Sequence, residues 1–405
     1  MAASDHALED AARLPARAQR DRLLMGLVTH QAHPLVKLGR LEGARDLLLR
    51  HLDWVEALKD SRLAGPFFLA LAGAYGLLGE AAAAAVWLRR AALEAARSGD
   101  ATMLAMASHG LALDCFWAGR FGEGIGDGRA AVARLRKPRE RWWTGQAMWG
   151  IGMNSIAAEN LKGAIEVEEA AWEAARETGD PRLECFTGFA KGWAHALLKD
   201  GEAGIAAGRR AVELAPDPLA TAVAQAWLGA ACLEIEGPEQ AASVLVQAYD
   251  KFLRWKCRPL HALVCAWLSN ALLGHGHEER ALELAEEGLA LSDELGVPFV
   301  GALARRALGR IARAKGALAE AEDHLEGAHQ AFQSIGAAYE GARTLLELAA
   351  IANASSRPDA APTHLTAAQR AFSDLEVPFH ATHAAKLADN LQGVGQASLE
   401  LDNGG

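Results

Sequence analysis

Three arginines offer a row of cationic groups. Arg306, Arg310 and Arg313 are spaced by four and then three residues, so a helix at this point presents all three on one face. Guanidinium groups pair with carboxylates and phosphates through directed hydrogen bonds. Such a stripe does not fit the apolar core of a helix pair. The spacing therefore indicates a cationic surface suited to an acidic ligand.

Two clusters combine basic residues with tryptophan, at residues 134–143 and 251–258. Tryptophan stacks on bases and arginine pairs with phosphate, so both clusters are candidates for anion binding or for docking on nucleic acid. The competing interpretation is a solvated loop between repeats with the tryptophan packed beneath it. The candidate anion-binding residues are Arg139, Arg141, Trp142, Trp143, Arg254, Trp255, Lys256 and Arg258.

No group for catalysis or for a cofactor stands out. The glycine-rich segment FGEGIGDGR at 121–129 lacks the GK[ST] ending of a phosphate-binding loop. His30 and His33 form a pair with HxxH spacing, but zinc needs three or four ligands. Asp114 is the nearest candidate for a catalytic carboxylate, and it stands alone. We therefore predict no catalytic residue, no metal site and no cofactor.

The composition predicts the elements that position these residues. Of the 405 residues, 51% are hydrophobic but only 6% are aromatic, and Val, Ile and Thr together number 34. Residues that favour sheets are thus scarce, whereas leucine and alanine favour helices, so we predict an all-α fold. Single cores stop growing at about 250 to 300 residues. The chain is therefore divided into domains or built as an open-ended repeat array.

Charge and cysteine content narrow the partners and the compartment. The net charge of −10 makes nucleic acid an unlikely partner and disfavours anionic membranes. The five cysteines form no CxxC pair, which favours a reducing cytoplasm. We predict a cytoplasmic protein with no signal peptide, no transmembrane helix and no membrane partner.

A period of 40 residues runs through the chain. A small residue recurs in the second helix of each unit, and the successive spacings are 40 residues except for one of 37. Small residues let two helices approach closely, so each unit is predicted to be a tightly packed helix pair. The positions are Ala44, Ala84, Gly124, Ala164, Gly204, Ala241, Ala281, Ala321 and Ala361.

Helix boundaries follow the same period. Fifteen residues after the small residue, four units carry a glycine, which ends helices in a left-handed conformation. These glycines are Gly99, Gly179, Gly296 and Gly336. Pro181, Pro298 and Pro378 come where the next helix begins. In such an array each repeat is expected to pack only against its neighbours.

The units resemble tetratricopeptide (TPR) repeats of a lengthened, roughly 40-residue kind. The best matches are Leu228-Gly229, Leu308-Gly309, the segment AVELAPDP at 211–218, and Leu71, Ala72, Tyr75, Ala84, Leu88 and Ala91. Residues 331–352 also resemble the helical-repeat tail of large bacterial ATP-dependent regulators. The resemblance implies a right-handed α-solenoid of about nine helix pairs at 21–378. A helical lead-in at 1–20, a capping helix at 379–391 and a flexible tail at 392–405 complete the predicted organisation.

The resemblance also implies a ligand groove, because TPR arrays bind ligands on a concave face lined by the first helix of each repeat. The residues of this sequence at the groove positions are Trp149, Trp193, Trp227, Trp267, Asn270, Arg306, Arg310 and Arg313. An aromatic stretch followed by a cationic one suits a protein or peptide partner with apolar anchors and acidic character. The alternative is that the tryptophans belong to the core between repeats and the arginines are solvated.

The predicted function is therefore a non-catalytic module for protein–protein interaction, acting as a scaffold or sensor in bacterial regulation. Two other classes stay open. One is an α-helical small-molecule sensor or enzyme with a pocket between repeats, and the other is docking on nucleic acid through the basic-aromatic loops. The sequence does not identify the partner or the oligomeric state.

Overall fold

The computed structural model describes residues 17–158, 160–355 and 360–388, with the side chains of residues 17–19 and 139 outside the described part. Within these ranges the chain forms twenty α-helices and one 3-10 turn at Pro138–Glu140. The helices are α1 Arg17–Lys37, α2 Leu41–Leu49, α3 Leu52–Leu58, α4 Ser61–Leu78, α5 Ala81–Ser98, α6 Ala101–Trp117, α7 Phe121–Arg134, α8 Arg141–Ala157, α9 Leu161–Thr178, α10 Pro181–Leu197, α11 Gly201–Leu214, α12 Pro218–Ile235, α13 Pro238–Trp255, α14 Arg258–Gly274, α15 Glu278–Leu295, α16 Pro298–Ala314, α17 Leu318–Ser334, α18 Ala338–Ala354, α19 Ala361–Asp374 and α20 at 378–388.

Consecutive helices pack in pairs, and each pair packs on the next. The described ranges contain nine pairs followed by α20, so the all-α solenoid of TPR-like helix pairs is confirmed. In the first pair the second helix is divided into α2 and α3 at Arg50 and His51. His51 stands where the other units carry a small residue.

The pairs are joined by short turns whose chemistry the sequence specifies. Gly99 and Gly179 end α5 and α9 with φ of +65° and +66°, a conformation that suits glycine. The next residue caps the following helix. Asp100 accepts a hydrogen bond from the backbone N–H of Met103 at 3.0 Å, and Asp180 caps α10 in the same way.

The solenoid turns are in contact with each other. Lys256, after α13, pairs with Glu42 of α2 at 2.9 Å, and Lys162 of α9 pairs with Glu376 at 3.0 Å. Both pairs span 214 residues, a little over five repeats. A turn of the superhelix thus closes after about five repeats, and the next turn lies against it.

Apolar packing continues across this contact. The ring of Trp255 lies against Gly39, where an added Cβ would come within 2.3 Å of it, and Phe121 packs edge-on against Phe299 at 5.9 Å between ring centroids. The largest buried cluster therefore extends from Leu41 to Ala384. The expectation that each repeat packs only against its neighbours is wrong, because the superhelix is tight enough to bring distant repeats together.

Two helices, α4 and α12, are long and apolar enough to cross a membrane by length and composition alone. The sequence analysis predicted no transmembrane helix, so the length and hydropathy of these two helices need an explanation. In the structure α12 is 67% buried and α4 is 44% buried within the solenoid. α4 packs on α5 and contacts α14, and α12 contacts α1 across the superhelix. Packing between helices therefore accounts for much of their apolar character.

Candidate functional site

Four tryptophans meet inside the superhelix. Trp227 of α12 lies between Trp193 of α10 and Trp267 of α14, with ring centroids 6.5 and 5.6 Å away. Phe189 joins Trp227 to Trp149 at 4.9 and 6.3 Å. We call these five residues the aromatic segment. Each tryptophan is at most 9% exposed, so the predicted open groove is a closed interior at this point, and the tryptophans belong to the core between repeats.

Two arginines of the predicted stripe form ion pairs beside the tryptophans, and of these Arg306 is buried and Arg310 is partly exposed. Arg306 of α16 pairs with Glu340 of α18 at 2.5 Å. Arg310 binds Glu347 of α18 through Nε and Nη2 at 2.9 and 2.6 Å, and its Nη1 donates to Asn270 Oδ1 at 2.7 Å. These two arginines are not solvated, contrary to the alternative interpretation. Arg313 is exposed and lies away from them.

A second turn of the superhelix adds charges to this group. Arg343 of α18 donates to Glu234 of α12 at 2.6 Å and to Glu340 at 3.3 Å. Lys199, just after α10, donates to the other carboxylate oxygen of Glu234 at 2.7 Å. We call this set of charges the ionic segment: Lys199, Glu234, Arg306, Arg310, Glu340, Arg343 and Glu347. Arg306 and Glu340 are buried, and the other five are partly exposed. The segment contains four cations and three carboxylates, which leaves one excess positive charge.

The carboxylates of the ionic segment stay ionised. Burial alone raises the pKa of Glu234, but Arg343 and Lys199 outweigh it and lower the pKa to about 2. For Glu340 and Glu347 burial is likewise outweighed, by Arg306 and Arg310 respectively, and the pKa of each is lowered. The ion pairs thus persist well below neutral pH.

A cavity of about 400 Å³, which we call the axial cavity, opens where the two segments meet. Its lining combines apolar side chains, among them Trp193, Trp267 and Phe299, with charged groups of the ionic segment. Of the predicted groove residues, Trp193, Trp267, Asn270, Arg306 and Arg310 line this cavity. Trp149, Trp227 and Arg313 do not line it. The indole N–H groups of Trp149 and Trp227 are buried and have no acceptor among the described residues.

A hydrogen-bonded contact joins two superhelical turns at Leu197, which lines the cavity. The hydroxyl of Tyr339 on α18 donates to the carbonyl oxygen of Leu197 at the end of α10, at 2.9 Å. His380 of α20 lies 3.0 Å from the same hydroxyl through Nε2. Burial lowers the pKa of His380 to about 4. The ring is therefore neutral at pH 7, as its position beside the cations Arg343 and Lys199 requires.

The first basic-aromatic loop is engaged with the neighbouring repeat. Arg141 pairs with Glu177 at 2.6 Å, and the indole N–H of Trp142 donates to Asp180. Trp143 packs edge-on against Trp142 at 4.3 Å. The side chain of Arg139 lies outside the described residues. The loop is thus a capped junction between α8 and α9–α10 rather than a row of unpaired cations.

The second loop forms part of the contact between superhelical turns. Trp255 covers Gly39, Lys256 pairs with Glu42 and Arg258 pairs with Glu294. Arg254 is exposed. A structural role for most of these residues is therefore observed, while anion binding by either loop stays a prediction.

The charged groups that the sequence analysis missed are the partners of the arginines. Lys199, Glu234, Glu340, Arg343 and Glu347 come from three different repeats. Glu340 and Arg343 had a weak signal, since they stand three residues apart on one helix and pair in the structure. The 109 residues between Glu234 and Arg343 carry no periodic signal of their contact.

Solved structures of Rap proteins share this architecture. A Rap protein complexed with Competence and Sporulation Factor aligns with a TM-score of 0.52 and 11% identity, over 91% of this chain and 97% of that chain. The Rap conjugation gene regulator of plasmid pLS20, in complex with the Phr* peptide, aligns with a TM-score of 0.58 and 12% identity, over 88% and 97%. At such identities these alignments show the fold alone.

A further match is a signal transduction ATPase with a tetratricopeptide repeat sensor from Pyrococcus horikoshii, with a TM-score of 0.35 and 12% identity over 89% of this chain and 54% of that chain. No protein-family model and no curated protein matches the sequence. The predicted resemblance to TPR-like helical-repeat proteins is confirmed at the level of the fold.

Proposed function

We propose that this protein is a non-catalytic, cytoplasmic regulatory module that binds a peptide or protein segment in its axial cavity. The ligand has an apolar side chain that packs on Trp193 and Trp267, and an acidic group that faces Lys199 and the arginines. The acidic group is a carboxylate, supplied by Asp, Glu or a chain terminus.

The observation that carries this proposal is the presence of apolar side chains and an excess positive charge in one cavity. Lys199 and Arg343 share the single carboxylate of Glu234, so an acidic ligand group supplies a further counter-charge. The volume of about 400 Å³ lies within the range of small-ligand sites. It therefore admits a short segment or the end of a chain, not a folded domain.

The two Rap proteins with the same fold were solved with a peptide or a named factor bound, which supports this class of ligand.

A small-molecule sensor is the second candidate, because a 400 Å³ cavity also fits an aromatic or aliphatic acid. The two candidates differ in how affinity depends on ligand length. A peptide ligand gains affinity as residues are added beyond the cavity, whereas a small acid binds fully on its own.

A pool of synthetic hexapeptides, each with one aromatic or aliphatic residue and one acidic group, tests the proposal by affinity selection followed by titration of the bound members. We expect Lys199→Gln to weaken the selected peptides by about tenfold or more, because it removes the excess charge. Arg313→Gln is the matched control, since this arginine is exposed and outside the cavity.

Two outcomes contradict the proposal. One is that no acidic peptide is enriched over neutral peptides of the same length. The other is that Arg313→Gln weakens binding as much as Lys199→Gln does.

A further inference from the structure

Three potential metal ligands converge between α14 and α15. His261 and Cys265 are one helical turn apart on α14, and Glu287 faces them from α15. One donor atom from each residue lies within 4.8 Å of the other two. His261 and Cys265 are buried, and Glu287 is partly exposed. None of the three lines the axial cavity, so this cluster is separate from the proposed peptide site.

The spacing of the donor atoms is close to that of a tetrahedral metal site. His261 Nε2 lies 3.3 Å from Glu287 Oε1. Zinc bonds of about 2.1 Å at tetrahedral angles place two ligand atoms roughly 3.4 Å apart. The widest pair needs to shorten by only about 1 Å to reach the same geometry.

His261 has a donor nitrogen that the protein leaves unused. The side chain is 5% exposed, and its Nε2 makes no hydrogen bond among the described residues, despite the approach of Glu287. An unpaired buried nitrogen is costly. Coordination of a metal ion engages the lone pair of Nε2 and so gives this nitrogen a partner.

Neighbouring groups hold the cluster in place. Tyr249 of α13 packs on the His261 ring at 5.0 Å between centroids, and its hydroxyl donates to Glu287 Oε2 at 3.2 Å. Such supporting hydrogen bonds orient metal ligands. Gly288 brings α15 close to Cys265, because an added Cβ would lie 3.1 Å from the Cys265 Cβ. Seven of the other eight units carry alanine at this repeat position, and the first carries His51.

We propose that His261, Cys265 and Glu287 form a zinc-binding site. Imidazole, thiolate and carboxylate are all ligands that Zn²⁺ accepts, and three protein ligands leave the fourth position for water. Cys265 binds as the thiolate and releases its thiol proton to solvent. Thiolate and carboxylate together neutralise the 2+ charge of the ion, which makes the loaded site compatible with the guanidinium of Arg280, 3.4 Å from the Tyr249 hydroxyl.

The sequence analysis predicted no metal site because these residues form no familiar motif. His261 and Cys265 have the i, i+4 spacing of two ligands on one helix face, but Glu287 comes from the next helix. Only the packing of α14 on α15 completes the set.

Zinc titration of the full chain, stripped with EDTA and followed by competition with a chromophoric chelator, tests the proposal. We expect one Zn²⁺ per chain, and Co²⁺ in its place should show thiolate-to-cobalt charge-transfer absorption. Glu287→Gln and Cys265→Ser should each weaken Zn²⁺ binding by about tenfold or more. The partly exposed Glu287 keeps the test usable if the buried Cys265→Ser variant fails to fold.

Matched controls separate coordination from general damage. Cys257→Ser changes another buried cysteine at the start of α14, and Glu283→Gln changes an exposed carboxylate one turn before Glu287. Both should bind Zn²⁺ like the unaltered chain. The proposal is overturned if Zn²⁺ does not bind in a one-to-one ratio, if Co²⁺ gives no thiolate band, or if Glu287→Gln binds as tightly as the unaltered chain.

Discussion

Trp193 and Arg310 occupy the same position of their repeats, each eleven residues before the small residue of the second helix. Both are directed into the interior and line the same cavity. Around Trp193 the interior is filled by rings in contact, whereas around Arg310 it is filled by charge pairs. The repeating backbone therefore presents one geometry, and the side chains decide whether it is closed by apolar burial or by ion pairing.

Aromatic packing and ion pairing in the interior respond differently to the loss of a contact. Each buried aromatic ring stabilises the fold in proportion to its buried area, so stability falls gradually as ring contacts are removed. An ionic interior is favourable only while each charge has its partner, because an unpaired buried charge is strongly unfavourable. The aromatic segment thus contributes stability by itself, and the ionic segment makes stability depend on the balance of charges and on pH.

The largest contrast is expected from removing one ion-pair partner. Arg310→Leu leaves the largely buried Glu347, whose side chain is 14% exposed, without its guanidinium and should lower the free energy of unfolding by about 3 kcal/mol. Arg310→Leu with Glu347→Leu should recover most of that loss, since no charge is then unpaired. Urea unfolding of the three proteins measures the difference. Equal stability of the single and double variants contradicts the buried-pair interpretation.

The second-largest effect is expected from acid, which should weaken the ionic segment. The pKa of Glu234 is about 2 in the folded protein, below its ordinary value of 4.5. A lowered folded-state pKa contributes stability that is present above pH 4.5 and is lost as the pH falls toward 2. For Glu234 this amounts to about 3 kcal/mol in full, of which about 2 kcal/mol is lost by pH 3. Urea unfolding between pH 7 and pH 3 tests it, with Glu234→Gln as the variant that should show a shallower acid loss.

A smaller effect of opposite sign is expected in the repeat that carries Trp149. Glu168 of α9 is fully buried, neither carboxyl oxygen has a hydrogen-bond partner among the described residues, and burial raises its pKa well above 4.5. Its folded-state preference for the proton favours folding below pH 4.5 and is lost as the pH rises through the folded-state pKa. Glu168→Met should therefore raise the free energy of unfolding at pH 7 by about 1 to 3 kcal/mol.

The same unfolding titration provides the control for Glu168→Met. Glu169→Met changes the neighbouring, more exposed carboxylate, which pairs with Lys191, and should leave stability within about 1 kcal/mol of the unaltered chain. If Glu168→Met is destabilising at pH 7, the carboxyl group has a favourable role that burial alone does not account for.

Much of the fold was predictable because its signals are local. The small residues of the second helices and the glycines at Gly99 and Gly179 act through contacts within one repeat, so a period in the sequence predicts them. The same holds for Pro181 and Pro298, which begin α10 and α16. Helix existence and pairing therefore follow from the sequence with little ambiguity.

The candidate site was predictable only in part, since its partners come from different turns. Because Trp193, Trp267 and Arg310 occupy groove positions of the TPR pattern, the sequence predicts that they share one surface. Whether that surface is open or closed depends on the superhelical pitch, which accumulates from small rotations at every repeat. No single residue encodes that pitch, so neither the pairing of Arg343 with Glu234 nor the contact of Trp255 with Gly39 has a sequence signal.

The contact between superhelical turns also sets an order of events during synthesis. Ribosomes add about 5 to 20 residues per second and domains fold as they emerge. Lys256 is synthesised 214 residues after Glu42, which takes roughly 10 to 40 s at those rates. During that interval Gly39 and its neighbours present the surface that Trp255 later covers. The nascent first repeats are therefore exposed to chaperones and to premature association until the sixth repeat has been made, and the same delay applies to Lys162 and Glu376.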